Sequence, residues 1–497
     1  MIYNSFQQLK GMNVGLGPFL QPEDSPVIQS GANSTYVLGS ILKDPGYYRI
    51  GDELEENKSP TGHYNFRQTN LEKELVTINN TAGTNLTLKY NNAGTWTDIV
   101  LGATWDGFEN ADVEMEAFLN YCFFVGYDAN ENVFLPKGSL TGTTFSTSTN
   151  CTDMWQAKYI IRYRDRLYLI NCFDTATAYP FRVMYSNQPS AGALTWTPAS
   201  NFLDVDYSEE LRGASVNWDQ LWVFTESSAY MYNQSTFKKQ FDTGCSAHRT
   251  IQNSGPYMFW ANYDGVWRGT GGQPENIGQP VGKFIYNGDP RDFFAVIVDE
   301  EYRLYIGDVT VDGVDYVNTE LIFNMPTQTW RMRENYHTFT TYAKFMDDEG
   351  IPRVHLGTTT GEVFQKSKYY DDTIYNADGV GSELSATGYA IHADIEFSPV
   401  KLGDMQTEHR IKTLTAYAEK AQGVNLSMRV LDKNLSSLTP YKKIGQLTKY
   451  INPFDVNVDN GVLLQLRLSE YSKLPFFNFY GFELSGEPIS KILKPLK

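Results

Sequence analysis

One form recurs along this chain and limits what it can become. A short run of strand-forming residues is followed by a turn and a second short strand. It is seen in LVTINN (75–80), YCFFVGY (121–127), RLYLIN (166–171), LWVFTE (221–226), YMFWANYDGVWRG (257–269), RLYIGD (303–308) and VHLGTTTGEVFQ (354–365). Each run is too short for a helix and rich in β-branched and aromatic residues. Asp264-Gly265 falls between two such strands, a strong hairpin signal, and Gly361 plays a similar part between Leu356 and Val363.

The runs lie about 36–54 residues apart, a period that fits four-stranded units of a β-propeller. About seven units are expected over residues 61–374. In LWVFTESSAYMYN, Leu221 and Val223 should face one side of a strand and Trp222 and Phe224 the other, because side chains alternate. Both faces are apolar, as a sheet packed between two neighbours requires. A chain of 497 residues with 14% aromatics, including 33 Tyr and 29 Phe, can fill several such cores.

The pattern changes near residue 375. YNADGVGSE (375–383) has the composition of a linker. Longer alternating strands follow, such as RIKTLTAYAE (410–419) and VLLQLRLSE (462–470), and predict a jelly-roll-like β-sandwich over 375–497. Residues 1–60 show little periodicity and are expected to form an arm packed across the ring. ISKILKPLK (489–497) is basic and amphipathic, a solvated tail or a docking segment. No long amphipathic helix is expected anywhere.

Net charge is −17. Residues 380–497 hold 14 Lys+Arg and 12 Asp+Glu, a balance of +2, so the remainder carries −19. Such a chain does not coat itself with nucleic acid, since phosphates are repelled. No secretory signal and no membrane span is expected, and triplets such as those at Asn33 and Asn425 are explained by an Asn- and Thr-rich composition. Cys122, Cys151, Cys172 and Cys245 have neither CxxC nor zinc spacing and are expected to be buried free thiols.

Candidate chemistry is sparse. GxSxG, HExxH and P-loop patterns are absent from the sequence. NVGLGPF (13–19) has a lone Gly-x-Gly without a strand–helix context. The histidines His63, His248, His337, His355, His392 and His409 are far apart, and His355 is expected to be structural. Cys245, Ser246 and His248 lie close together in GCSAH, but catalytic pairs usually meet through the fold. DANEN (128–132) offers Asp128, Asn130 and Asn132 at alternate positions, yet Val133 stands where a calcium loop needs Gly, so an Asx-rich turn is the better reading. A propeller glycosidase would need paired carboxylates at its axis; Asp206, Asp264 and Asp347 are candidates, though context marks out no pair. SNQPSAGALTW (186–196) echoes the sialidase turn once without its Asp, and packing accounts for Trp196. No catalytic residue, cofactor or metal is assigned.

FQQLKGMNVG (6–15), GSILKDPGYYRIG (39–51), LWVFTESSAYMYN (221–233), GCSAHRTI (244–251) and YDGVWRGTGG (263–272), taken in this order, resemble the β-propeller tail proteins of tailed bacteriophages. The nearest kinds are packaged-DNA stabilisation, tail-hub or nozzle proteins of short-tailed phages. The resemblance covers about two-thirds of the chain. It implies a non-enzymatic virion protein, assembled in the bacterial cytoplasm as a ring, most often a homohexamer, below the portal and adaptor. Its partners would be further copies, other tail and adaptor proteins, and double-stranded DNA passing without sequence-specific binding, with no membrane anchor. Two rivals stand beside it. A carbohydrate-binding or carbohydrate-active propeller would need exposed aromatics, for which Trp105, Trp155 and Trp267 are conceivable. A cellular scaffold propeller is disfavoured because Trp-Asp and kelch-type repeats are missing.

Overall fold

The computed structural model describes residues 2–491 apart from short stretches, the longest being 13–26 and 373–388. The fold is all-β, and its one α-helix among the described residues is the six-residue Gly282–Asn287. Seven four-stranded antiparallel sheets follow one another in sequence, over 60–99, 112–146, 156–204, 213–241, 252–276, 294–334 and 339–366. The fourth shows the local logic. Gln220–Phe224 pairs with Ala229–Tyr232, with Trp222 opposite Met231. Leu221 and Val223 join an apolar core with the third sheet, while Trp222 and Phe224 join one with the fifth. The expected division of faces is what the chain adopts.

Every consecutive pair of sheets shares such a core, through clusters built around Phe124, Leu169, Val223, Trp260, Leu304 and Phe364. The series also returns to its start, because Val363 of the seventh sheet packs with Val76 and Ile78 of the first. The first strands of the sheets touch in the same cyclic order. The strand Asp112–Phe118 touches Pro60–Gln68 and Gln156–Tyr163, and Phe339–Met346 touches Pro60–Gln68 again. Between the fourth and fifth sheets, Asn253 Nδ2 donates to Ser215 Oγ at 2.8 Å.

The seventh sheet takes three strands from 339–366 and its fourth, Tyr47–Arg49, from far earlier in the chain. The following residues stay bound to it: Ile50 N–H donates to the Val363 carbonyl at 2.7 Å and Leu54 N–H to that of Gly361 at 2.7 Å. Gly361 has φ +87°, and a Cβ there would stand 2.0 Å from the Glu55 carbonyl oxygen. Any other residue would be strained and would push this segment off the sheet.

The N-terminal segment differs from the expected arm across the ring. Its strands Ile2–Phe6, Ser34–Val37 and Ser40–Lys43 join Thr407–Glu419, Ile451–Gly461 and Asn478–Lys491 in a six-stranded sheet. Lys10–Met12 and Val27–Ala32 join a seven-stranded sheet with Ala393–Phe397, Leu463–Glu470 and Asn425–Leu431. The two sheets share one core, in which Ile411, Leu414 and Phe482 meet Phe397, Leu426 and Leu466. Asn478–Lys491 and Ala393–Phe397 would each keep an open edge within the C-terminal part alone, and Ile2–Phe6, Ser40–Lys43 and Val27–Ala32 cover these edges. Residues 489–491 continue the strand Asn478–Lys491 and pair with Thr407–Glu419, so they are sheet and not tail. Residues 492–497 and the linker 375–383 lie outside the described residues.

Charge is buried where the sixth and seventh sheets meet. Arg303 is 2% exposed and Glu320 is fully buried, yet Arg303 donates to Glu320 at 3.2 Å and to Glu301 at 2.5 Å. Arg331 donates to Glu301 at 2.7 Å. Tyr47 closes the cluster from the N-terminal strand, donating to Glu320 at 3.3 Å while its ring lies 4.4 Å from the Arg333 guanidinium. A buried charge set of this kind is tolerated only while each member keeps its partners. Tyr47→Ala is therefore expected to cost about 4 kcal/mol, from the cavity and from the uncovered carboxylate, and Tyr47→Phe about 1–2 kcal/mol. Denaturant unfolding of both variants measures the difference.

Candidate functional site

First strands of six of the seven small sheets line a cavity of about 580 Å³, with residues such as Tyr64, Glu116, Ile161, Ser215, Gln252 and Lys344. A second cavity of about 460 Å³ continues beyond it towards Tyr305 and Thr338. Glu114, His248 and Arg249 line both. Arg249 stands in the 3₁₀ turn His248–Thr250, just before the fifth sheet. Its guanidinium donates to the Thr61 carbonyl of the first sheet at 3.0 Å and to Asp112 of the second at 2.5 Å. It bridges the first and second sheets at a place that borders both cavities.

DVEMEAF (112–118) supplies the acids. Val113 and Met115 enter the core between the first and second sheets, so strand alternation turns Asp112, Glu114 and Glu116 to the cavity. Burial pushes the Glu114 carboxyl up to about 7 against the opposing pull of Arg249, with Asp112 and Glu116 adding to the rise. Burial likewise raises Glu116 to about 7, although the Ala117 N–H and Tyr64 hydroxyl bond its carboxylate. Burial and the neighbouring Arg249 pull His248 down to about 4. Its Nδ1 accepts from the Ala214 N–H at 3.2 Å, which leaves Nε2 to face Glu114 at 3.9 Å. Burial pulls the Lys344 amine down to about 8, and it donates to Gln252 at 2.7 Å.

A second cluster sits at the seam of the first and seventh sheets. One oxygen of Glu74 meets His63 Nε2 at 2.6 Å and His355 Nδ1 at 2.7 Å, while the other accepts from Asn91 at 3.0 Å. Burial alone would raise the Glu74 carboxyl, but the charge and hydrogen bond of His355, with His63 beside it, hold it well below the usual carboxylate range. Among the described residues the apolar core at this seam has four buried members, Leu54, Val76, Ile78 and Val363, so these polar bonds carry much of the contact. Because the folded carboxyl is depressed, its stabilisation is complete above the ordinary carboxylate range and is lost as pH falls below it. Glu74→Ala leaves two imidazoles and an amide without their acceptor, and is expected to cost about 3 kcal/mol at neutral pH, read as a lower denaturation midpoint.

The residues weighed from sequence fall elsewhere. Cys245 does not reach His248. It is buried between the fourth and fifth sheets, donates to the Ala247 carbonyl at 3.0 Å, and burial pushes its thiol up to about 12. Ser246 donates to Glu226 at 2.6 Å. All four cysteines are buried and free. Asp264 stands exposed in the hairpin turn, away from the cavity. Asp206, Asp347, His392, Asn130, Asn132 and Val133 lie outside the described residues. Trp105 is core, with its Nε1 donating to the Pro136 carbonyl at 3.0 Å; Trp196 is buried between the second and third sheets; and Trp267 donates to Asn262 at 2.9 Å. Trp155 lines a separate cavity at the strand ends of the second and third sheets. Glu114, Glu116 and Arg249 escaped notice. The first two carried a signal, acids at alternate positions of a strand, but a solvent-facing edge has the same pattern.

No family model and no curated protein matches the chain. Among the described residues, no group of three or more His, Cys, Asp and Glu could hold a metal ion, and no helix is long and apolar enough to cross a membrane.

The raised carboxyls have a measurable signature. An unfolded Glu loses its proton near 4.3, whereas Glu114 and Glu116 keep theirs to about 7. The folded chain thus binds more protons between these values, and stability falls as pH rises through them. His248 acts in the opposite sense between about 4 and its usual 6.5, so the two acids dominate above 6.5. Carboxyl ¹³C resonances of both residues should titrate with midpoints near 7.

Proposed function

We propose that the seven small sheets are the blades of one β-propeller, that the two larger sheets form a jelly-roll-like β-sandwich, and that the protein is a structural component of a bacteriophage virion. In this reading it is not an enzyme. It forms a tail hub or nozzle ring, most simply a homohexamer, below the portal and adaptor. The ring closes or extends the DNA channel and takes part in DNA retention and ejection. The observation that carries the reading is the cyclic series of apolar interfaces, which returns from the seventh sheet to the first. Such a ring hides its own edges and makes a rigid building block. The resemblance of GSILKDPGYYRIG and GCSAHRTI to phage tail propellers supports it further.

The size of the two cavities constrains where DNA can run. Chambers of about 580 and 460 Å³ have the size of small-molecule pockets. A duplex therefore passes outside each propeller, along an axis shared by several copies. The net charge of −17 suits such a path, since every phosphate contact avoided is one fewer to break. Electron microscopy of the purified full-length chain is expected to show closed rings with an opening wider than a duplex; monomers at all concentrations would overturn the ring.

Glu114 and Glu116 favour a second reading, a carbohydrate-active propeller with axial carboxyls. Incubation with bacterial polysaccharides separates the two. No turnover is expected. Reproducible cleavage that disappears in Glu114→Gln would replace the structural reading.

A further inference from the structure

We propose that a cavity at the strand ends of the second and third sheets is a binding site for an uncharged saccharide. The cavity holds about 470 Å³ and is lined by Lys137, Asp153, Trp155, Gln156, Phe173 and Asp174, among others. That volume suits one or two sugar rings. The proposal goes beyond the virion reading and does not rest on it.

Both aromatic walls are braced from behind. Trp155 stacks on Tyr179 at 5.2 Å with 22° between the planes. The Arg182 guanidinium lies 4.1 Å from the Tyr179 centroid and 3.9 Å from that of Phe202. Arg182 is itself fixed by two hydrogen bonds to Asp204, at 2.6 and 2.9 Å. The result is a four-layer stack that ends in Trp155 at the cavity. Phe173 is held in the same manner by Phe134, at 5.1 Å with 4° between the planes. Rings that are already immobile lose little entropy when a ligand settles on them.

The polar groups around these walls accept more than they donate. Asp174 is oriented by the Ala176 and Thr177 N–H groups at 3.0 and 2.8 Å and by the Tyr179 hydroxyl at 3.2 Å. Asp153, also in the lining, stands exposed with φ 61°. Lys137 donates to the Met154 carbonyl, and Gln156 donates to the carbonyls of Phe134 and Leu135 at 3.0 Å, so both are turned towards the protein. Two carboxylates against the single ammonium of Lys137, which is engaged with the Met154 carbonyl, leave the lining net negative and disfavour phosphate, sulfate and uronate groups. They accept hydrogen bonds from hydroxyls, and the aromatic faces meet the C–H face of a sugar ring. A ligand that is apolar on its faces, rich in hydroxyls at its edge and without negative charge satisfies all of these groups together.

The full-length protein is titrated by calorimetry with neutral glucan, mannan and chitin oligosaccharides, and with a sulfated glucan of equal length. At least one neutral oligosaccharide should bind, and the sulfated one should bind more weakly. Trp155→Ala should weaken binding at least tenfold, and Trp155→Phe should retain most of it. Asp153→Asn is the control against a folding defect, because the residue is exposed and Asn tolerates the left-handed backbone; it should also weaken binding. The proposal is overturned if no neutral oligosaccharide binds at millimolar concentration, if the sulfated one binds best, or if affinity is unchanged in both folded variants, Trp155→Ala and Asp153→Asn.

Discussion

Everything in this fold waits on one pairing, that of Tyr47–Arg49 with Val363–Lys366. Without it the seventh sheet has three strands and an open edge. Tyr48 stands opposite Gln365, and the segment that follows is bound at Ile50 and Leu54. Tyr47 then reaches past its own sheet to the buried carboxylate of Glu320. The same few residues thus complete a sheet, cover a charge and hold the last sheet to its neighbour. Sheet edges are hazards that proteins must cover, and here the cover comes from the other end of the sequence.

The seven contacts between the small sheets are not equivalent. Most are dense with aromatics, such as the stack of Phe241 on Trp260 at 5.9 Å. The contact between sixth and seventh sheets mixes rings with ion pairs, and the seam between seventh and first relies on Glu74 shared by two imidazoles. Polar partners specify geometry where apolar packing would accept several registers. They stand at the two contacts of the seventh sheet, where the chain must find a distant part of itself.

Much of the strand pattern was legible in the sequence because its causes are local. Alternation in LWVF set the two faces, and Asp264-Gly265 and Gly361 marked hairpins, so seven units could be counted. The role of residues 2–43 was not legible. Val27–Ala32 pairs with Ala393–Phe397, and no local signal names so remote a partner. The cavity groups escaped for a related reason. Glu114 belongs to the second sheet and Arg249 to the turn before the fifth, and only the cyclic arrangement brings them to one cavity. Glu74 and His355 likewise meet only because the first sheet neighbours the last.

The route of the chain has a consequence for time. Strand Tyr47–Arg49 emerges early in synthesis, but its partner Val363–Lys366 follows more than 300 residues later. At about 5–20 residues per second that is a delay of tens of seconds. Strands Ile2–Phe6 and Val27–Ala32 wait longer still, since their partners lie beyond residue 392. Ser34–Val37 and Ser40–Lys43 can pair with one another at once, and Lys10–Met12 with Val27–Ala32, but the edges that await later partners must stay open while six small sheets stack behind them. Long-range pairing of this kind makes folding slow. It also makes the completed seventh sheet a record that the ribosome passed residue 366, for in a shorter chain Tyr47–Arg49 has no strand to complete.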